Sequence, residues 1–162
     1  MSIPAHLLGK YAILLFDSKG LISSLIRWQT RGTVSHAAIL LPDGNVLESM
    51  QGDGVRTRSC ADVDWSTAQA FDVVGMSDSR WDAAMKWIGS PNGAKMGDGY
   101  DYLAVFRFIT RHRQPPNNRW FCSELVFEAL QSVGVNLLER IPASQVTPFD
   151  ILTSPLLSPI KP

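Results

Sequence analysis

The feature that most limits how this chain can fold is Val34–Met50, an apolar, strand-forming stretch interrupted once. Val34–Leu41 reads as one strand, Pro42-Asp43-Gly44 breaks it, and Asn45–Met50 returns as its partner. The break suits a three-residue hairpin loop: a type I turn followed by a glycine in the left-handed region. Such a loop pairs Leu41 with Asn45, and therefore Ala38 with Glu48. His36, Ala38, Glu48 and Met50 then share one face of the hairpin, and Ile39 and Leu47 share the other. Glu48 lies diagonally across from His36, within reach of a long side chain. A two-residue loop would move Glu48 to the opposite face and separate the pair.

The rest of the chain supplies strands and helices around this hairpin. Tyr11–Phe16 reads as a buried strand, and Leu21–Gln29 has helical spacing at Leu21, Leu25 and Trp28. After the turn Gly52-Asp53-Gly54 comes a short strand at Val55–Arg58, then another at Ala70–Val74. Ser77 or Asp78 caps a helix running to about Ile88, with Trp81, Ala84, Met85 and Ile88 as its apolar stripe. Ser90–Gly99 is a loop, Asp101–Thr110 is helical, and Gln114–Asn118 is a second loop. Phe121–Val133 is the clearest helix, with Cys122, Leu125, Val126, Ala129, Leu130 and Val133 on one face and Gly134 to end it. The proline-punctuated remainder is expected to wrap the surface. An early block of strands with helices around it points to an α+β fold, and residues 1–162 fit a single domain.

Composition and charge narrow the function classes without pointing to a partner. Fifteen basic and fifteen acidic side chains cancel, so nothing favours a nucleic-acid partner. No segment approaches the roughly 20 apolar residues needed to span a bilayer. Met1–Lys10 has neither a basic start nor an apolar run of signal-peptide length, so a cytoplasmic location is expected, with export by a separate route or virion association as other possibilities. His6, His36 and His112 show no ligand-like spacing with Cys60 or Cys122, so no metal site is expected. Two free thiols suit a reducing compartment.

Cys122 is the candidate nucleophile. A free thiol ionises near pH 8.5 and needs help to become a thiolate at neutral pH. The positive end of a helix and a neighbouring imidazole both provide it. Cys122 falls in the first turn of the strongest helix, and Tyr102–Ser123 contains Arg107, Arg111, Arg113 and Arg119 but no acidic residue. By position alone it would be a small core residue, and His36 alone would be a histidine satisfied by a backbone carbonyl at the sheet edge. Together with Glu48 they read as nucleophile, base and orienter.

Four segments in order carry a resemblance: Thr30-Arg31-Gly32-Thr33-Val34-Ser35-His36-Ala37-Ala38-Ile39; Val46-Leu47-Glu48 with Gly54-Val55; Tyr100-Asp101-Tyr102-Leu103; and Phe121-Cys122-Ser123-Glu124-Leu125-Val126. The chain resembles the YiiX-type permuted papain-like hydrolases of the NlpC superfamily from about Tyr11 to Gly134. The resemblance implies a circularly permuted papain-like fold: a small antiparallel sheet packed against helices, with histidine preceding cysteine. It implies a cysteine at a helix start, a sheet-borne histidine and a polar third residue at Glu48. It also implies that Tyr100 or Tyr102 binds substrate or the oxyanion; ordinary aromatic packing is the alternative. Trp120 either floors the site or anchors the helix.

The reaction expected is acyl transfer on a peptide or other amide, with bacterial cell-wall peptides the class implied by the likeness. No cofactor is required. Lipid ester chemistry of the lecithin retinol acyltransferase type is a second reading. A non-catalytic binding or structural module, for instance in a phage particle, is the third. Cys60 has no nearby base or helix start and reads as structural. His112 and its neighbouring arginines read as a solvated basic loop.

Overall fold

The computed structural model describes residues 3–17, 19, 21–50, 52–100 and 119–161. The strands are β1 (Ala12–Phe16), β2 (His36–Leu40), β3 (Asn45–Met50), β4 (Gly54–Ser59), β5 (Ala68–Val73), β6 (Gly99–Tyr100), β7 (Arg119–Trp120) and β8 (Leu157–Pro159). Six of them form one sheet in the order β4-β3-β2-β1-β5-β8, every neighbouring pair antiparallel. β6 and β7 pair separately, in parallel. The described helices are α1 (Leu21–Thr30), α2 (Asp78–Trp87), α3 (Cys122–Gln131) and the short α4 (Pro148–Leu152). The fold is α+β.

The hairpin takes the register that a three-residue loop demands. The Leu41 N–H donates to the Asn45 carbonyl at 2.8 Å, and Ala38 sits opposite Glu48. Gly44 adopts φ of 81°, a conformation most side chains resist, and the Asp43 carboxylate accepts the Asn45 N–H at 2.9 Å. Because side chains alternate along each strand, this one turn sorts the sheet into two faces.

On one face Ile13, Leu15, Ala37, Ile39, Leu47, Val55, Phe71 and Val73 pack with Leu125, Val126, Ala129 and Leu130 of α3. Trp81 of α2 and Ile151 of α4 join the same cluster. On the other, Ala12, Leu14, Phe16, Ala38, Leu40 and Val46 are covered by Leu7 and Val63. Both faces are thus buried, which is why β1 and β2 read as unbroken apolar runs rather than alternating ones.

Two expectations need correction. The chain after Gly134 does more than wrap the surface: Val135, Leu137, Ala143, Val146 and Ile151 enter the core, and β8 pairs with β5. Proline punctuation marked its turns but hid this apolar content. The helical spacing of α1 is real, yet Leu25 and Trp28 face outward at 40% and 75% exposure while Ile26 is buried. α2 begins as expected, with the Ser77 hydroxyl accepting the Arg80 N–H, and Trp81 and Ala84 buried. The helix expected at Asp101–Thr110 and the loop at Gln114–Asn118 lie outside the described residues.

Candidate active site

His36 is the first residue of β2 and Cys122 the first residue of α3. α3 packs across β2 and β3, and the two residues meet where both elements begin. The approach to α3 is fixed from several sides. Ser49, buried on β3, donates its hydroxyl to the Trp120 carbonyl at 2.7 Å. The Trp120 indole N–H donates to Asp98 at 3.1 Å, and its ring meets Trp87 edge-on, centroids 5.5 Å apart. Ser123, also buried, donates to the Val146 carbonyl at 2.6 Å. These bonds lock the residues on either side of Cys122.

At the helix start the Glu124 carboxylate accepts the Phe121 N–H at 3.3 Å, the reciprocal half of a capping box. The first N–H groups of a helix lack carbonyl partners within it and carry partial positive charge. The Cys122 sulfur therefore sits beside backbone donors able to hold an anion.

His36 connects the thiol to a buried acid. Its Nε2 lies 2.9 Å from Glu48 Oε2, and Cys122 is its other ionisable neighbour. Burial alone would push the imidazole pKa down, but the charge and hydrogen bond of Cys122, then those of Glu48, outweigh it. The value is pushed up from 6.5 to about 9. The Phe16 ring lies beside the imidazole, centroids 5.6 Å apart. Cys122 is 1% exposed and His36 9%, so the pair is shielded from bulk water.

Glu48 is fully buried, and burial pushes its carboxyl up. The His36 hydrogen bond and charge, the charge of Arg58 and a hydrogen bond from Arg56 reverse that and hold it below the usual carboxylate range. Arg56 donates to Glu48 Oε1 through Nε at 3.2 Å and a terminal nitrogen at 3.0 Å, and its other terminal nitrogen pairs with Asp53. Arg58 Nε lies 3.0 Å from the same oxygen, but without hydrogen-bond geometry. Its guanidinium carbon sits 5.8 Å from the Phe16 ring centroid.

The structure thus brings Cys122, His36 and Glu48 together. Trp120 is half-buried and bonded to Asp98. The Tyr100 backbone pairs with Trp120 in the β6–β7 ladder. Tyr102 and His112 lie outside the described residues. Cys60 is half-buried beside the hairpin turn, its N–H donating to the Gly44 carbonyl. Sequence reasoning missed Arg56 and Arg58. The signal was present: a tight turn at Gly52-Asp53-Gly54 places Glu48 opposite Arg56 and Val46 opposite Arg58.

Fold and site together define a class: an α+β domain whose antiparallel sheet carries a buried His–Glu pair beside a cysteine at a helix start. No family model matches the sequence, and no curated protein matches it. Among solved structures, the chain is similar to the crystal structure of metalloprotein yiiX from Escherichia coli O157:H7, DUF1105. The two share 17% identity and a TM-score of 0.68, with 95% of this chain and 97% of that chain covered. The fold is YiiX-like.

Proposed function

We propose that this domain is a permuted papain-like cysteine hydrolase acting on amide bonds, with Cys122 as nucleophile, His36 as base and Glu48 as orienter. One observation carries the reading: His36 lies between a cysteine at a helix start and a fully buried carboxylate 2.9 Å from its Nε2. An ordinary core cysteine has no use for that arrangement.

The Cys122 sulfur attacks the substrate carbonyl as its proton passes to His36. The tetrahedral oxyanion is held by the Cys122 N–H at the start of α3. The imidazolium, kept in place by Glu48, gives its proton to the leaving amine, and the C–N bond breaks to leave a thioester. Water then attacks the thioester with His36 as base, releasing the acid and restoring the thiol. The solved relative is described as a metalloprotein. Among the described residues no group of three His, Cys, Asp or Glu side chains converges to hold a metal ion.

Lipid esters form a second substrate class, favoured by one feature: α1 presents Leu25 and Trp28 to solvent. Among the described residues no helix is long and apolar enough to cross a membrane, but a surface helix with an outward tryptophan suits an interface.

The test is iodoacetamide labelling of Cys122 across pH, read by peptide mass spectrometry, followed by hydrolysis of short amide and ester substrates. Opening of the buried site contributes to the absolute rate, so the pH profile is the informative quantity. Labelling of Cys122 well below pH 7 that collapses in His36→Ala, with amide hydrolysis abolished in Cys122→Ala, supports the proposal. Cleavage of long-chain esters alone moves the assignment to lipids. A Cys122 no more reactive than Cys60, with neither bond cleaved, leaves a non-catalytic module.

A further inference from the structure

The Glu48 carboxylate has two oxygens with separate duties. Oε2 faces His36 Nε2, while Oε1 receives two nitrogens of Arg56 and has Arg58 Nε 3.0 Å away. A carboxylate on an unconstrained side chain can rotate and present either oxygen, or both, to a neighbouring imidazole. Here both Arg56 donors converge on Oε1 and hold that oxygen by charge-assisted hydrogen bonds, which leaves Oε2 for His36. Arg56 is itself braced by Asp53 in the β3–β4 turn. Arg58 is braced by the Asp62 carbonyl at 3.2 Å and by the Phe16 ring beneath it.

We propose that Arg56 and Arg58 are positioning residues of the reaction: they clamp Oε1 of Glu48 so that Oε2 is held towards His36 and the buried carboxyl keeps its charge. This rests on the reading of Cys122, His36 and Glu48 as a reactive triad. The charged and titratable groups around Glu48 are His36 from β2, Arg56 and Arg58 from β4 and, through His36, Cys122 from α3. Asp53 reaches it only through Arg56. Two cations therefore offset the cost of burying one carboxylate, and the imidazole makes up the remainder of the cluster.

The role is one of charge, and its sign can be worked out. Glu48 is held below the usual carboxylate range. Removing a guanidinium raises the pH at which Glu48 takes up a proton. A protonated Glu48 no longer supports the imidazolium beside Cys122, so the acid limb of thiol reactivity moves upward. An opposite charge within about 4–6 Å shifts a carboxyl by about 1–3 units, so a rise of about one unit is expected from losing one of two arginines.

The experiment compares iodoacetamide labelling of Cys122 between pH 4 and pH 9 (range set by about the Asp and His ionisations) in wild type, Arg56→Gln, Arg56→Lys and Arg58→Gln. Folding of each variant is checked by circular dichroism. The proposal expects the acid limb to rise in the glutamine variants and to stay at the wild-type position in Arg56→Lys, which keeps the charge. Should Arg56→Gln fail to fold, Arg58→Gln carries the test, since its contact with Oε1 lacks hydrogen-bond geometry and acts by charge. An unmoved limb in every folded glutamine variant, against a wild type reactive below pH 7, overturns the positioning role and leaves the triad standing. An equal rise in Arg56→Lys overturns it too, because charge would not be the cause. An ordinary thiol profile in wild type overturns the triad, and the positioning role with it.

Discussion

The two faces of the sheet solve different problems. The face under α2 and α3 is apolar along nearly its whole length, from Ile13 and Leu15 to Val55 and Phe71. It needs only matching volume, and its packing is non-directional. The opposite face is apolar along β1 and most of β2, but it carries His36 at the start of β2, Glu48 on β3 and Arg56 and Arg58 on β4. There each group depends on the geometry of the next. Stability of the first face is spread over many contacts; the polar part of the second depends on one carboxylate.

Replacing that carboxylate is expected to have the largest effect. Glu48→Ala leaves two guanidinium groups and an imidazole without the carboxylate they share, and should destabilise the protein by about 3–5 kcal/mol in urea titration. It should also slow Cys122 labelling below pH 7. Leu125→Ala on the apolar face should cost about 2–5 kcal/mol, yet leave the pH profile of Cys122 labelling in the folded protein unchanged. A profile displaced by Leu125→Ala would erase the distinction between the faces.

A pH scan separates them further. The imidazole pKa is raised on folding, from 6.5 to about 9. Its stabilising contribution is therefore complete below pH 6.5 and is lost as pH rises through about 9. Thermal unfolding should show a midpoint that falls over this window, less steeply in Cys122→Ser, which removes a neighbour that raises the imidazole pKa. For Glu48 the sign is opposite: its pKa is depressed, so its contribution is present above the ordinary carboxylate range and lost as pH falls through the folded value. The smallest effect belongs to Ser49→Ala, which removes one hydroxyl and leaves the Trp120 carbonyl without that donor. About 1–3 kcal/mol is expected by chemical denaturation.

Much of this was legible in residue order because it is local. Pro42-Asp43-Gly44 specified a turn, the turn specified the pairing of Ala38 with Glu48, and that pairing placed Glu48 diagonally from His36. Cys122 could be set at a helix start because the apolar face of α3 has a clear period and Gly134, at φ of 77°, follows its end. What escaped was non-local. Arg56 and Arg58 look like solvated strand charges until a second hairpin is paired onto the first. The core residues of the chain after Gly134 are too scattered for any period to collect them. The outward face of α1 escaped for another reason, since its spacing resembles that of a buried stripe, and only tertiary packing decides which side is covered.

The position of Gly44 bears on how the gene can drift. Tight surface turns are ordinarily where insertions and deletions accumulate harmlessly, because little depends on their length. Losing a single residue from Pro42-Asp43-Gly44 would disturb no atom of the cysteine or histidine. It would nonetheless point the acidic partner, together with the arginines paired to it from β4, into the hydrocarbon packing beneath α3 and carry Leu47 onto the face that His36 occupies. The length of this outlying turn should therefore be held as strictly in descendants of this sequence as the identity of the nucleophile.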